Sequence, residues 1–190
     1  MPVQIGVKAH NFSEPTGLLC DCHRRIEMFL GALEAVAEVI NEPLTKEAAH
    51  ALESALRYFR EAAPKHTADE EESLLPRLHD LRHPDARSVL ARLEALEEEH
   101  RWAGPLHAEV DKLGEAYLKE GSLPLAEAAK FRKAVASLVS MYKCHIRIED
   151  EIVFPLATQL LSQADKAAIA QEMAARRQVK VVAAISDLRE

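Results

Sequence analysis

Aromatic residues make up only 5% of this chain, and glycine occurs six times in 190 residues. A chain poor in both, and rich in Ala, Leu and Glu, favours helix over strand. Cysteine is scarce as well. Cys20, Cys22 and Cys144 are too few for a disulfide framework, and an odd count leaves at least one thiol unpaired within the chain. No apolar stretch approaches the roughly 20 residues of a membrane span, and Met1 to Gly17 lacks the continuous apolar core of a secretory signal. Basic charge is in deficit: the formal net charge is -7 and no long basic run offsets it, which argues against a nucleic-acid-binding face. The expectation is a cytoplasmic, all-α protein with no membrane and no nucleic-acid partner. Its 190 residues, 48% hydrophobic, are enough for one compact domain with a filled core.

Apolar periodicity and its punctuation predict the helices. The first runs from about Leu18 to Ile40 and ends in the turn Asn41-Glu-Pro43. Thr45 is a suitable N-cap for the second, which runs to about Leu81 with kinks at Pro64 and Pro76. The turn His83-Pro84-Asp85 leads into the third, about Ala86 to Leu118, interrupted near Gly104-Pro105. Gly121 to Pro124 opens the fourth, which reaches about Leu161 with a kink at Pro155, and Asp165 caps a fifth, about Lys166 to Ser186. Short connections between long amphipathic helices imply antiparallel neighbours. The expected architecture is an up-down-up-down four-helix bundle over about 18–161, with an N-terminal arm and an additional C-terminal helix, all within a single domain 1–190.

One short cluster occurs twice, first from His66 to Pro76 (His-Thr-Ala-Asp-Glu-Glu-Glu-Ser-Leu-Leu-Pro) and again from His145 to Pro155 (His-Ile-Arg-Ile-Glu-Asp-Glu-Ile-Val-Phe-Pro). On a helix, residues four apart are offset by about 40° and roughly 6 Å, so each His-x-x-x-Glu puts an imidazole and a carboxylate on one stripe. If His23, His66 with Glu70, His100, and His145 with Glu149 share one site, they must lie at one depth in the bundle. At about 1.5 Å per residue, His23 is about 26 Å and His66 about 32 Å from the turn between the first two helices. Glu70 and His100 are about 20 and 22 Å from the next turn, and the last pair gives about 28 and 32 Å. Every helix of the bundle brings a ligand to one level, which nine histidines scattered at random would not often do. Four imidazoles and two carboxylates suit iron, manganese or zinc better than calcium or magnesium, and iron fits best. A carboxylate on each of two helices can bridge two ions, with histidines from either side completing the shells.

At these residues the chain resembles the hemerythrin-like family, the HHE cation-binding domains. The family pattern is an early His in helix 1, His-x-x-x-Glu before Leu-Phe-Pro in helix 2, Glu-His in helix 3, and His-x-x-x-Glu before Phe-Pro in helix 4. Its counterparts here are His23, His66 and Glu70 before Leu74-Leu-Pro76, Glu99-His100, and His145 and Glu149 before Val153-Phe-Pro155. The resemblance covers about Leu18 to Leu161. It implies a non-heme centre of two iron ions, bridged by the carboxylates of Glu70 and Glu149 and by an oxo or hydroxo group. There is a departure from the pattern, because hemerythrins proper use five histidines and this chain has His66-Thr67 where many bacterial relatives carry a His pair. His107 lies about 10 Å beyond His100 and could ligate only if the Gly104-Pro105 break brings it back. Glu97, one turn before His100, is the other candidate. If neither binds, the site has an extra open position.

Other residues of the motifs have secondary readings. Pro76 and Pro155 each free a backbone carbonyl one turn earlier, at Glu72 and Glu151. Glu71 and Asp150 could orient ligands as hydrogen-bond acceptors. Cys20 and Cys144 flank ligand positions, with an inert buried thiol the commoner reading and a redox or auxiliary-ligand role the other. Trp102, Tyr142 and Phe154 are expected to pack the core around the centre. The leading functional expectation is a protein that binds O2 or another small diatomic for sensing, storage, or iron and oxidative-stress handling. The alternative is a di-iron oxidoreductase acting on peroxide or nitric oxide. A homodimer through the fifth helix is left open.

Overall fold

The computed structural model describes residues 10–179, and among them every regular element is helical. α1 (Pro15–Val39) opens with Pro15 at its first position, where the missing N–H costs nothing. α2 (Lys46–Glu61) begins at Thr45, whose hydroxyl accepts the Ala48 amide at 3.1 Å. α3 (Ala63–Ala68) follows, then a π-helical turn (Asp69–Leu74) and α4 (Leu75–Asp80). α5 (Pro84–Glu120) ends on Gly121, whose φ of 74° is the left-handed cap conformation that glycine adopts without strain. α6 (Leu125–Ile148) runs into a second π turn (Glu149–Val153) and α7 (Phe154–Leu160), and α8 (Gln163–Arg176) is the last helix among the described residues.

α1, α2, α5 and α6 pack side by side, with α1 against α2 and α6, and α5 against α2 and α6. Gly114 permits the close approach of α2 to α5, since a Cβ there would stand 2.9 Å from Leu56. The end of the bundle remote from the histidines is pinned by Leu44 N–H donating to Gly121 O at 2.9 Å and by the Tyr117 hydroxyl donating to Glu42 O at 2.9 Å. Two apolar clusters fill the interior. One, including Ile26, Leu30, Leu52, Leu113, Phe131 and Leu138, fills that remote half. The other, including Leu19, Leu74, Leu93, Phe154, Ile169 and Met173, fills the opposite end and takes in α8. Between them runs a buried polar layer of His23, His66, Asp69, Glu70, Ser73, His145 and Glu149.

The structure corrects the sequence reading in four places. The helix expected to break near Gly104-Pro105 is continuous as α5, because Pro105 sits among the exposed residues Arg101, Trp102 and Gly104, where water can satisfy the carbonyl it leaves without a donor. Ser162, not Asp165, caps α8; Asp165 closes a reciprocal capping box by accepting the Ser162 amide. That helix ends at Arg176, where Gln178 turns to a φ of 56°, and the remainder of the expected fifth helix, like most of the N-terminal arm, lies outside the described residues. Trp102 does not pack the core: it is 52% exposed.

Both segments ahead of Pro76 and Pro155 adopt the wider π turn. The Leu75 amide reaches back five residues to Glu70 O, and the Phe154 amide likewise to Glu149 O. A proline ring crowds the preceding turn and lacks a donor, and a turn holding one extra residue relieves the crowding. Each proline then occupies the second position of a new helix, α4 or α7, where its donor is surplus.

Candidate metal centre

The two π turns begin at or beside the carboxylates that the repeated motif singled out. Glu70 and Glu149 project into the polar layer, fully buried or nearly so, where they meet imidazoles from α1, α3, α5 and α6. Glu70 Oε1 stands 3.2 Å from His66 Nε2 and 3.6 Å from His23 Nε2, while its Oε2 faces His100 Nε2 at 3.7 Å. Glu149 Oε2 lies 3.2 Å from His23 Nε2 and 3.1 Å from His145 Nε2. The Nε2 atoms of His100 and His145 are 3.0 Å apart.

Two sets of donor atoms result, His23 with His66 and Glu70, and Glu70 with His100, His145 and Glu149; within each set the atoms lie within 4.8 Å of one another. Donors bound to one ion at about 2.1 Å stand about 3.0 to 3.4 Å apart, so separations of this size match a shared ion. Glu70 belongs to both sets and turns a different oxygen to each. The Nε2 of His23, both Glu70 oxygens and Oε2 of Glu149 are buried without a hydrogen-bond partner. Buried carboxylates left so are costly, by several kcal/mol each in order of magnitude, unless a cation compensates them. The donor set therefore fits a metal ion by chemistry, by spacing and by its unpaired atoms.

Electrostatics within the layer follow from the same crowding. Burial pushes Glu70 up to about 8, and the neighbouring Glu149 charge adds to it. Glu149 moves the other way: burial opposes its charge, but the His145 and His23 imidazoles close against it outweigh that and hold it well below the usual carboxylate range. For His23, burial disfavours the charge, yet Asp150, Glu149 and Glu70 raise it to about 12; His145 is likewise raised, to about 9, chiefly by Glu149. Burial lowers His66 and His100, aided by the positive neighbours His23 and His145 respectively. Protons thus take the place of positive charge around the two carboxylates, and a cation entering the site must displace them.

A ring of carboxylates holds the imidazoles from behind. His23 Nδ1 is 2.8 Å from Asp150, His100 Nδ1 is 2.9 Å from Glu71, and His145 Nδ1 is 2.8 Å from Glu99. An Nδ1–H donating to a carboxylate leaves Nε2 as the lone-pair donor facing inward. Phe154 stacks on the other side of His23, with ring centroids 5.2 Å apart. Asp150 and Glu71 were legible as candidates for this role. Glu99, next to His100 in the chain, serves His145 on the adjacent helix instead.

The remaining sequence candidates lie elsewhere. His107 is in neither donor set; its Nε2 is 3.0 Å from the Tyr142 hydroxyl, and it lines a cavity of about 190 Å³ with Leu56 and Phe59. The break on which its ligation depended is absent. Glu97 is also in neither set. The three thiols are free and outside both sets: Cys22 is buried, Cys20 half-buried with burial and then Asp150 pushing its thiol up to about 12, and Cys144 exposed. Arg176 and Arg177 gave no signal in the sequence, yet both reach Asp69, the residue before Glu70.

Comparison with known proteins agrees with this geometry. The Hemerythrin HHE cation binding domain family matches residues 15–157, a span that includes both donor sets. An Uncharacterized protein of Haemophilus influenzae is 26% identical over 176 residues, covering 89% of this chain and 93% of its own length. No described helix is long and apolar enough to cross a membrane.

Proposed function

The chain belongs to the Hemerythrin HHE cation binding domain family, and from that premise we propose that it holds two iron ions and binds O2 or another small diatomic for sensing, storage, or iron and oxidative-stress handling. The observation that carries the reading is Glu70, one carboxylate shared by two donor sets, with Oε1 toward His23 and His66 and Oε2 toward His100. His23 and His66 would hold one ion, His100 and His145 the other, with Glu70 and Glu149 between them. A bound iron pair supplies redox capacity and Lewis acidity toward a small ligand.

The protein's own residues prepare that chemistry. Asp150, Glu71 and Glu99 orient three imidazoles and set their tautomers. These carboxylates are 23 to 37% exposed whereas the imidazoles they hold are at most 7% exposed, so each links a buried Nδ1 to solvent and can hold or pass a proton there. Phe154, Leu19 and the apolar cluster behind them exclude water from one side.

The donor count favours a second reading. With Glu97 and His107 outside both sets, the described residues offer four imidazoles and two carboxylates, fewer than the five histidines and two carboxylates of hemerythrins proper. An additional open position suits a di-iron oxidoreductase acting on peroxide or nitric oxide. Reduction of the iron-loaded protein, followed by exposure to air, separates the two. A spectrum that returns through repeated cycles supports reversible binding; sustained consumption of peroxide or nitric oxide supports the enzyme, and a spectrum indifferent to all three ligands defeats both.

A further inference from the structure

The family match ends at residue 157, and α8 lies beyond it. This helix nevertheless delivers its charged side chains to the segment that carries Glu70. Arg176 Nη1 is 3.0 Å from Asp69 Oδ1 and 2.9 Å from Ser73 Oγ, and its Nη2 is 2.9 Å from Glu72 Oε2. Arg177 Nη2 is 2.6 Å from Asp69 Oδ2. Arg77 completes the contact from the other side, donating to Ser73 O at 2.7 Å and pairing with Glu172 of α8. Asp69 is fully buried beside the buried Glu70, an arrangement that is unfavourable unless opposite charge is held against it.

We propose that Arg176, supported by Arg177, is a positioning residue of the metal site, bracing the first π turn so that Glu70 stays aimed between the two ions; this rests on the two-ion reading above. Consecutive helical side chains diverge by about 100°, so Asp69 can face α8 while Glu70 faces the centre. One guanidinium spans Asp69 and Ser73, the length of the turn, and so fixes its expanded register. A turn that relaxed by one residue would rotate Glu70 by about 100° away from both donor sets. The two sets would not suffer equally. Glu70 is one of only three donors in the His23 set, and a second, His66, adjoins the braced turn from α3, whereas Glu70 is one of four in the other set.

The test is release of iron from the anaerobically Fe(II)-loaded full chain to a colorimetric chelator. Wild type should carry two ions and release them slowly. Arg176→Gln should release one of the two about 10- to 100-fold faster, the range seen when groups supporting metal ligands are removed. Arg176→Lys keeps the charge but loses the fork, whose Nη2 holds Glu72 while Nη1 holds Asp69 and Ser73, and should shift in the same direction; it decides the matter should Arg176→Gln lose its helical circular dichroism. Lys166→Ala removes a different tether of α8, to Thr158 O at 2.6 Å, and should release at the wild-type rate. Wild-type release from both Arg176 variants overturns the proposal, as does equal acceleration in Lys166→Ala, which would reduce the effect to the docking of α8. A wild-type protein with fewer than two ions overturns the two-ion reading, and the brace with it.

Discussion

Metal removal should reverse the way stability responds to pH. In the metal-free protein Glu70 is raised from 4.5 to about 8 by burial and by Glu149, His145 from 6.5 to about 9, and His23 from 6.5 to about 12. Each of these groups holds its proton more tightly in the folded chain than in the unfolded one. Stability drawn from them is present at low pH and is lost as pH rises through the folded values. His66 and His100 shift the other way, but from about pH 7.5, one unit above the unfolded value, they are essentially neutral in both states and contribute almost no slope. Between about pH 7.5 and 8.5 the metal-free protein should therefore lose about 1.4 kcal/mol per pH unit for each extra proton held. For a chain of this size one such proton corresponds to a fall in Tm of about 3 to 6 °C per unit.

Metal binding expels those same protons, so metal affinity should rise with pH over the same window, about tenfold per unit for each proton released. An ion at 100 times its Kd adds about 2.7 kcal/mol, so two give about 5 kcal/mol and a Tm gain of about 10 to 20 °C. Thermal unfolding followed by circular dichroism at about pH 7.5, 8.0 and 8.5, with chelator and with anaerobic Fe(II), measures both curves. They should diverge as pH rises. Parallel curves, or a metal-free protein that gains stability with pH, would refute the reasoning.

Three further outcomes can be checked directly. Glu70→Ala or Glu149→Ala should cost at least one of two ions per chain, counted by elemental analysis after gel filtration; two ions retained in both variants would sink the bridging assignment. Tyr142→Phe should leave the ion count at two while destabilising the fold by about 0.5 to 1.5 kcal/mol in denaturant titration, because it removes the hydrogen bond to the half-buried His107 Nε2; a lost ion would tie His107 and Tyr142 to the metal site. In the native protein a thiol reagent at pH 8 should titrate the exposed Cys144 quickly and reach Cys20 and Cys22 only on unfolding, since burial raises both of those thiols. More than one fast thiol would contradict the burial described here.

The sequence made the helices and the histidine level legible because both depend on spacing. The His-x-x-x-Glu interval, the Thr45 cap and the Gly121 end are local features, and helix lengths converted directly to depth in a bundle. Pro105 misled because a proline's effect depends on which side of the helix it faces, and exposure is a tertiary property. Trp102 misled for the same reason: near a ligand along the chain, it points into solvent. The π turns were half visible. Two prolines ten residues beyond two histidines signalled a disturbance, but whether the chain kinks or admits an extra residue depends on what packs against it. Glu99 and Arg176 were hidden because their partners, His145 and Asp69, are distant in the chain and meet them only through the pairing of helices.

The central claim is that one carboxylate, Glu70, stands between two ions. Anomalous diffraction at the iron edge from crystals of the iron-loaded protein tests it most directly. Two peaks are expected, one beside His23 and His66 and one beside His100 and His145, with Glu70 between them. A single peak, or peaks away from these residues, would contradict the account.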